Sequence, residues 1–81
     1  MKIPRSLSGH ELITNLARTF GYGAVHQTGS HVIVETLSPR RHRIAVPDHR
    51  VLRVGTLNAI LRAVAQAQQL SKEEVARRLF G

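Results

Sequence analysis

Three β-patterned runs lie between residues 22 and 46, and the turns between them are too short for anything but reversals. The runs are Tyr22–Thr28, His31–Leu37 and His42–Val46, separated by Gly29-Ser30 and by Ser38-Pro39-Arg40-Arg41. A parallel crossover needs about a dozen residues or more, so these strands must form an antiparallel meander. Gly29 tolerates backbone angles that a Cβ forbids, and Pro39 presets a turn dihedral. Val25 is the expected core residue of the first run. The second run is the richest in β-branched residues and is ended by Leu37. Pro47 closes the third.

Helical patterns flank the meander. Residues 2–7 read as a short lead-in, extended at Pro4. Ser8-Gly9-His10-Glu11 has the form of a capping box. Leu12, Ile13, Leu16, Ala17 and Phe20 follow at helical spacing, with Gly21 as a stop, which predicts a helix over Gly9–Phe20. After a loop at Asp48–Val54, Gly55-Thr56 opens a second helix lined by Leu57, Ile60, Leu61, Val64 and Ala65. It ends in the polar stretch Gln66–Gln69. Ser71-Lys72-Glu73-Glu74 reads as a second capping box, with Val75, Ala76, Leu79 and Phe80 as the apolar face behind it. The expected architecture is α+β, order αβββαα, with helices on one face of the sheet and one domain over residues 1–81.

Alternation along a strand sends successive side chains to opposite faces. If Val32 and Val34 meet the helices, then His31, Ile33 and Glu35 point to the open face. His31 then stands at a hairpin turn on a rigid element. Histidine is the side chain whose ordinary pKa lies near neutral pH, so it both takes and gives a proton there.

The chain has 12 Lys and Arg against 5 Asp and Glu, a formal charge of +7, which points to nucleic acid as a partner. Five of the arginines, Arg40, Arg41, Arg43, Arg50 and Arg53, fall in one stretch with a single acid, Asp48. There is no cysteine, which excludes disulfides, thiol catalysis and Cys-ligated metal, and fits a reducing cytoplasm. Five histidines are present, but His26 and His31 alone are closely spaced, and no acid joins them, so no metal site is expected. No apolar run reaches membrane-spanning length, and the first residues lack the apolar stretch of a signal peptide.

These features suit cleavage of RNA by its own 2′-hydroxyl. A base removes the hydroxyl proton, cations steady the phosphorane, and an acid protonates the leaving oxygen. His31 fits the proton transfer, Ser30 supplies a hydroxyl for a phosphate oxygen, and the five arginines are candidate phosphate contacts. Two other readings use the same residues. One is a non-catalytic RNA-binding module in which His31 only positions. The other is a helix-turn-helix DNA regulator built from the last two helices, which Glu73 and Glu74 disfavour by facing the phosphates with negative charge.

Gly29-Ser30-His31 after a strand, Val46-Pro47-Asp48-His49 at the end of the meander, Gly55-Thr56-Leu57 with Ile60-Leu61, and the capped Leu70-Ser71-Lys72-Glu73-Glu74 stand in order over nearly the whole chain. In this the sequence resembles the HicA toxins, also called YcfA-like proteins. It differs at Val25-His26-Gln27-Thr28, where members often carry a basic pair, and at Val32-Ile33-Val34, where they often carry further His or aromatic residues. The resemblance implies a double-stranded-RNA-binding-domain-like fold and an mRNA interferase that works without a cofactor. It implies His31 as the catalytic residue, mRNA as substrate, and a HicB-type antitoxin that covers the site.

Overall fold

A computed structural model describes residues 3–81; Lys2, the start of the expected lead-in, lies outside them. The element order is α1 (Gly9–Phe20), β1 (Gly23–Thr28), β2 (His31–Thr36), β3 (His42–Pro47), α2 (Val54–Gln68) and α3 (Lys72–Phe80). The strands form one antiparallel sheet in the order β1-β2-β3. This is the α+β arrangement αβββαα, compatible with a double-stranded-RNA-binding-domain-like fold.

The parity of β2 is as the sequence implies. Val32, Val34 and Thr36 are buried, whereas His31 is exposed and Ile33 and Glu35 are half-buried. Val32 faces Val46 across the β2–β3 ladder, and both join Leu12, Leu16, Leu57, Leu61, Val64 and Val75 in one core. The helices therefore cover one face of the sheet and leave the other open.

α1 begins with a complete capping box: the Ser8 hydroxyl accepts from the Glu11 amide, and the Glu11 carboxylate accepts from the Ser8 amide, each at 3.0 Å. It ends at Gly21, whose φ of 73° is the left-handed cap that glycine adopts without strain. α3 departs from expectation. Ser71 caps the Glu74 amide, but Glu74 does not reach back; its carboxylate accepts instead from Arg77 and Arg78 one turn on. Two guanidiniums three and four residues ahead outcompete a single backbone amide for it. α2 starts one residue earlier than expected, at Val54 after Arg53.

Val25 overturns its expectation. It is 48% exposed, and no residue of β1 is buried. The register between β1 and β2 slips between Ala24 and His26, so Val25 sits in a bulge with no partner on β2. The aromatic that anchors this part of the chain is Tyr22, which precedes β1 instead of belonging to it. Tyr22 is 1% exposed. Leu37, expected to end the second strand, lies beyond β2 and is 74% exposed.

Backbone bonds tie the segment after β3 to the rest of the molecule. The Asp48 amide donates to the Ser30 carbonyl at 2.6 Å, the Gly9 amide to the His49 carbonyl at 2.9 Å, and the Leu52 amide to the Leu7 carbonyl at 2.8 Å. Gly9 is required at this junction, because a Cβ there would run into the Pro47 carbonyl oxygen. Gly9→Ala is expected to lower stability by about 1–3 kcal/mol, the usual penalty of overpacking, read in denaturant titrations. A pH effect is also expected from Glu74. Hydrogen bonds from Arg77, then Arg78, hold its pKa at about 2 instead of 4.5. A depressed folded-state pKa adds stability above the unfolded value and loses it as pH falls through the folded one. Thermal melts between the two values should therefore decline with acid less steeply in Glu74→Gln than in the unaltered chain.

Candidate RNA-cleavage site

The β1–β2 hairpin is a two-residue turn. Thr28 pairs with His31 across it, and Gly29 carries a φ of 57° while Ser30 is not in the positive region. Positive φ at the first turn position alone is the type II′ pattern, whose twist matches that of the strands. The turn starts β2 at His31 and thereby fixes which face the imidazole takes. The ring stands exposed and makes no hydrogen bond among the described residues.

His31 lies across from Pro47 in the sheet register. It lines one end of a groove of about 450 Å³ whose other walls are Ile44, Ala45 and Pro47 of β3 and Thr56, Ala59, Ile60 and Ala63 of α2. Thr56 belongs to the first turn of α2, whose N-cap Arg53 makes no side-chain capping bond and whose first turn holds no acid. The opening amides of α2 are thus without the side-chain acceptor that Ser8 gives α1 and Ser71 gives α3. From the sequence, Gly55-Thr56 is more simply a helix boundary than a set of amides for a phosphate; that Thr56 shares a groove with His31 follows only from the packing of α2 along β3.

The five arginines do not converge. Arg50 and Arg53 lie on the loop that leaves Pro47, the end of the sheet where His31 and Ser30 stand, and both are exposed. Arg40 and Arg41 lie in the β2–β3 turn and Arg43 opposite Glu35, toward the far end of β2. The six residues of β2, from His31 to Thr36, make five steps and separate the ends by about 17 Å. Arg41 and Arg43 share the carboxylate of Glu35, with Nε–Oε2 distances of 2.6 and 3.0 Å. Hydrogen bonds from Arg41, then Arg43, hold the Glu35 carboxyl below its ordinary range. Arg40 makes no ion pair among the described residues.

The other histidines are dispersed. His42 accepts or donates at Nδ1 against the Tyr22 hydroxyl at 2.8 Å, with the rings edge to face. Burial pushes the Tyr22 phenol above its ordinary pKa. Among the described residues no three of His, Asp and Glu gather in a way that would hold a metal ion.

A protein-family model described as "HicA toxin of bacterial toxin-antitoxin" matches residues 9–66, from the first residue of α1 to the last turns of α2. The chain belongs to the HicA toxin family. It is thus the toxin half of a toxin–antitoxin pair, with an antitoxin as partner. The matched span contains the Gly29-Ser30-His31 turn, the groove and every one of the five arginines. No curated protein and no solved structure matches the chain. No helix among the described residues is long and apolar enough to cross a membrane.

The sharing of Glu35 makes a measurable difference to surface charge. Glu35→Gln removes one negative charge and releases two guanidiniums, whereas Glu73→Gln removes one charge from a residue with no ion pair among the described residues. Glu35→Gln is expected to elute from immobilised heparin at higher salt than Glu73→Gln, which has the same net charge.

Proposed function

We propose that this HicA-family toxin is a metal-independent endoribonuclease that uses His31 for proton transfer on mRNA. The observation that carries this is the exposed imidazole at one end of a groove that also takes in Thr56, in the uncapped first turn of α2. A phosphate placed between them meets a proton acceptor on one side. On the other it meets free amides at the positive end of a helix dipole.

The chemistry draws on these groups together with Ser30, Arg50, Arg53 and water. His31 takes the proton of a ribose 2′-hydroxyl, and the oxygen attacks the adjacent phosphorus. The amides of the α2 first turn, with the Ser30 hydroxyl and the guanidiniums of Arg50 and Arg53, stabilise the charge that builds on the phosphorane. The bond to the 5′-oxygen breaks as that oxygen takes a proton from water, leaving a 2′,3′-cyclic phosphate and a 5′-hydroxyl, and His31 returns its proton to the solvent. Gly29 acts through geometry, since its left-handed φ sets the turn that presents Ser30 and His31.

In this reading a HicB-type antitoxin inhibits by covering the groove, and the toxin acts in the cytoplasm, where mRNA is found. Residues 1–81 work as one domain in this reading, because backbone bonds tie the start of α1 and the loop at residues 48–53 to the turn that precedes His31.

His31→Ala is expected to lower cleavage of single-stranded RNA in the presence of a chelator by about 10²–10⁴-fold, the usual contribution of a general acid–base group. Its melting temperature should stay that of the unaltered chain, since the ring is exposed. Cleavage at the original rate would remove His31 from the mechanism, and no cleavage by the unaltered chain would leave a non-catalytic RNA-binding module. Cleavage that stops in chelator would remove the metal-independent mechanism.

A further inference from the structure

The groove at His31 does not end at the centre of α2. A second depression, of about 250 Å³, is lined by Arg40, Arg41 and His42 and by Ala63, Gln66 and Ala67 of α2. Ala63 belongs to both linings. The two depressions therefore adjoin at Ala63 along the flank between β3 and α2, one reaching to His31 and Thr56 and the other to Arg40 and Arg41. Their linings contain no Asp or Glu.

We propose that the two depressions act as one trough, a track for about five nucleotides of single-stranded RNA, with Arg40 and Arg41 holding a phosphate remote from the one at His31. The length follows from about 17 Å of strand at ~3.4 Å per stacked nucleotide. The proposal rests on RNA being the substrate, as in the preceding section, but not on cleavage itself.

Several features favour this occupant. α2 presents the short side chains of Ala59, Ala63 and Ala67 along this flank, one turn apart. β3 is an edge strand, so its outer backbone N–H and C=O groups have no strand partner and face the space a base would enter. The far end is cationic and held in place. Gln68 Nε2 donates to the Ser38 carbonyl at 3.1 Å, fixing the Arg40 turn to α2. The buried Thr36 hydroxyl donates to the Phe20 carbonyl at 2.9 Å, fixing the end of β2 to α1. Arg41 is oriented by Glu35 through one nitrogen and keeps a largely exposed side chain. Duplex RNA is too wide for a trough bounded by a strand and a helix in contact, which selects a single strand.

The test is the affinity of the full-length His31→Ala chain, which does not consume its ligand, for unstructured RNAs of two, four, six and eight nucleotides. The dissociation constant is expected to fall about tenfold between two and six nucleotides and then level off. Arg40→Gln with Arg41→Gln should remove that gain and reduce the log–log salt slope for the six-nucleotide RNA by about 1.4, two phosphate contacts at ~0.7 each. Ala63→Leu, which fills the junction from a half-buried helix position, should weaken the six-nucleotide RNA about tenfold, with its melting temperature checked in parallel. A steady gain with length and no effect of Ala63→Leu overturns the track in favour of diffuse surface charge. Tighter binding of a duplex also overturns it. So does an Ala63→Leu chain that binds RNA normally but loses its antitoxin, which would make the trough a protein site. If the unaltered chain binds with the expected length dependence yet cleaves nothing, the nuclease reading falls and the track stands.

Discussion

The two-fold alternation of β2 is the constraint on which the rest depends. Six residues place Val32, Val34 and Thr36 against the helices and His31, Ile33 and Glu35 on the other side. A slip of one residue would reverse every one of them, burying an imidazole and a carboxylate and exposing two valines. The apolar core and the exposed histidine are thus consequences of the same register. The hairpin turn sets it, because Gly29 and Ser30 leave no spare residue between Thr28 and His31. Burial of two valines, at about 1.5–3 kcal/mol each, makes the alternative costly.

A second layer of organisation comes from backbone groups instead of side chains. The loop between β3 and α2 carries His49, Arg50 and Arg53, and its amides and carbonyls are bonded to Ser30, Gly9 and Leu7. This loop has little apolar surface to bury, since Leu52 alone among its residues is buried. Hydrogen bonds to three separate parts of the chain give it a defined course. The close contact of Gly9 with Pro47 shows how tightly α1 is drawn against the end of the sheet where His31 stands.

Charge is distributed according to the same geometry. In a linear stretch the five arginines look like one cluster. Folding divides them, because β3 runs the length of the sheet between Arg41 and Asp48. Arg41 and Arg43 then meet Glu35, whose acid partly compensates them, while Arg40, Arg50 and Arg53 keep their charge for solvent or ligand. The same competition reshapes α3, where Glu74 abandons the reciprocal cap for two guanidiniums. α1 keeps its complete box because Glu11 makes no ion pair among the described residues.

By itself the sequence determined the element order, the antiparallel meander, the first helix to its end residues and the side of the sheet on which His31 stands. These follow from short-range rules: capping bonds, turn lengths and periodicity act within a few residues. It also carried the family, through motifs spaced along the chain. Tertiary structure alone decided that Val25 would be displaced by a bulge, that Tyr22 would fill the core beside it, and that the arginines would part into two groups. It alone set Thr56 and His31 along one groove and placed Ala63 between that groove and the depression at Arg40 and Arg41. Those outcomes depend on how α2 lies along β3 and how one strand's register slips against another, and such contacts join residues distant in the chain whose pairing no local pattern encodes.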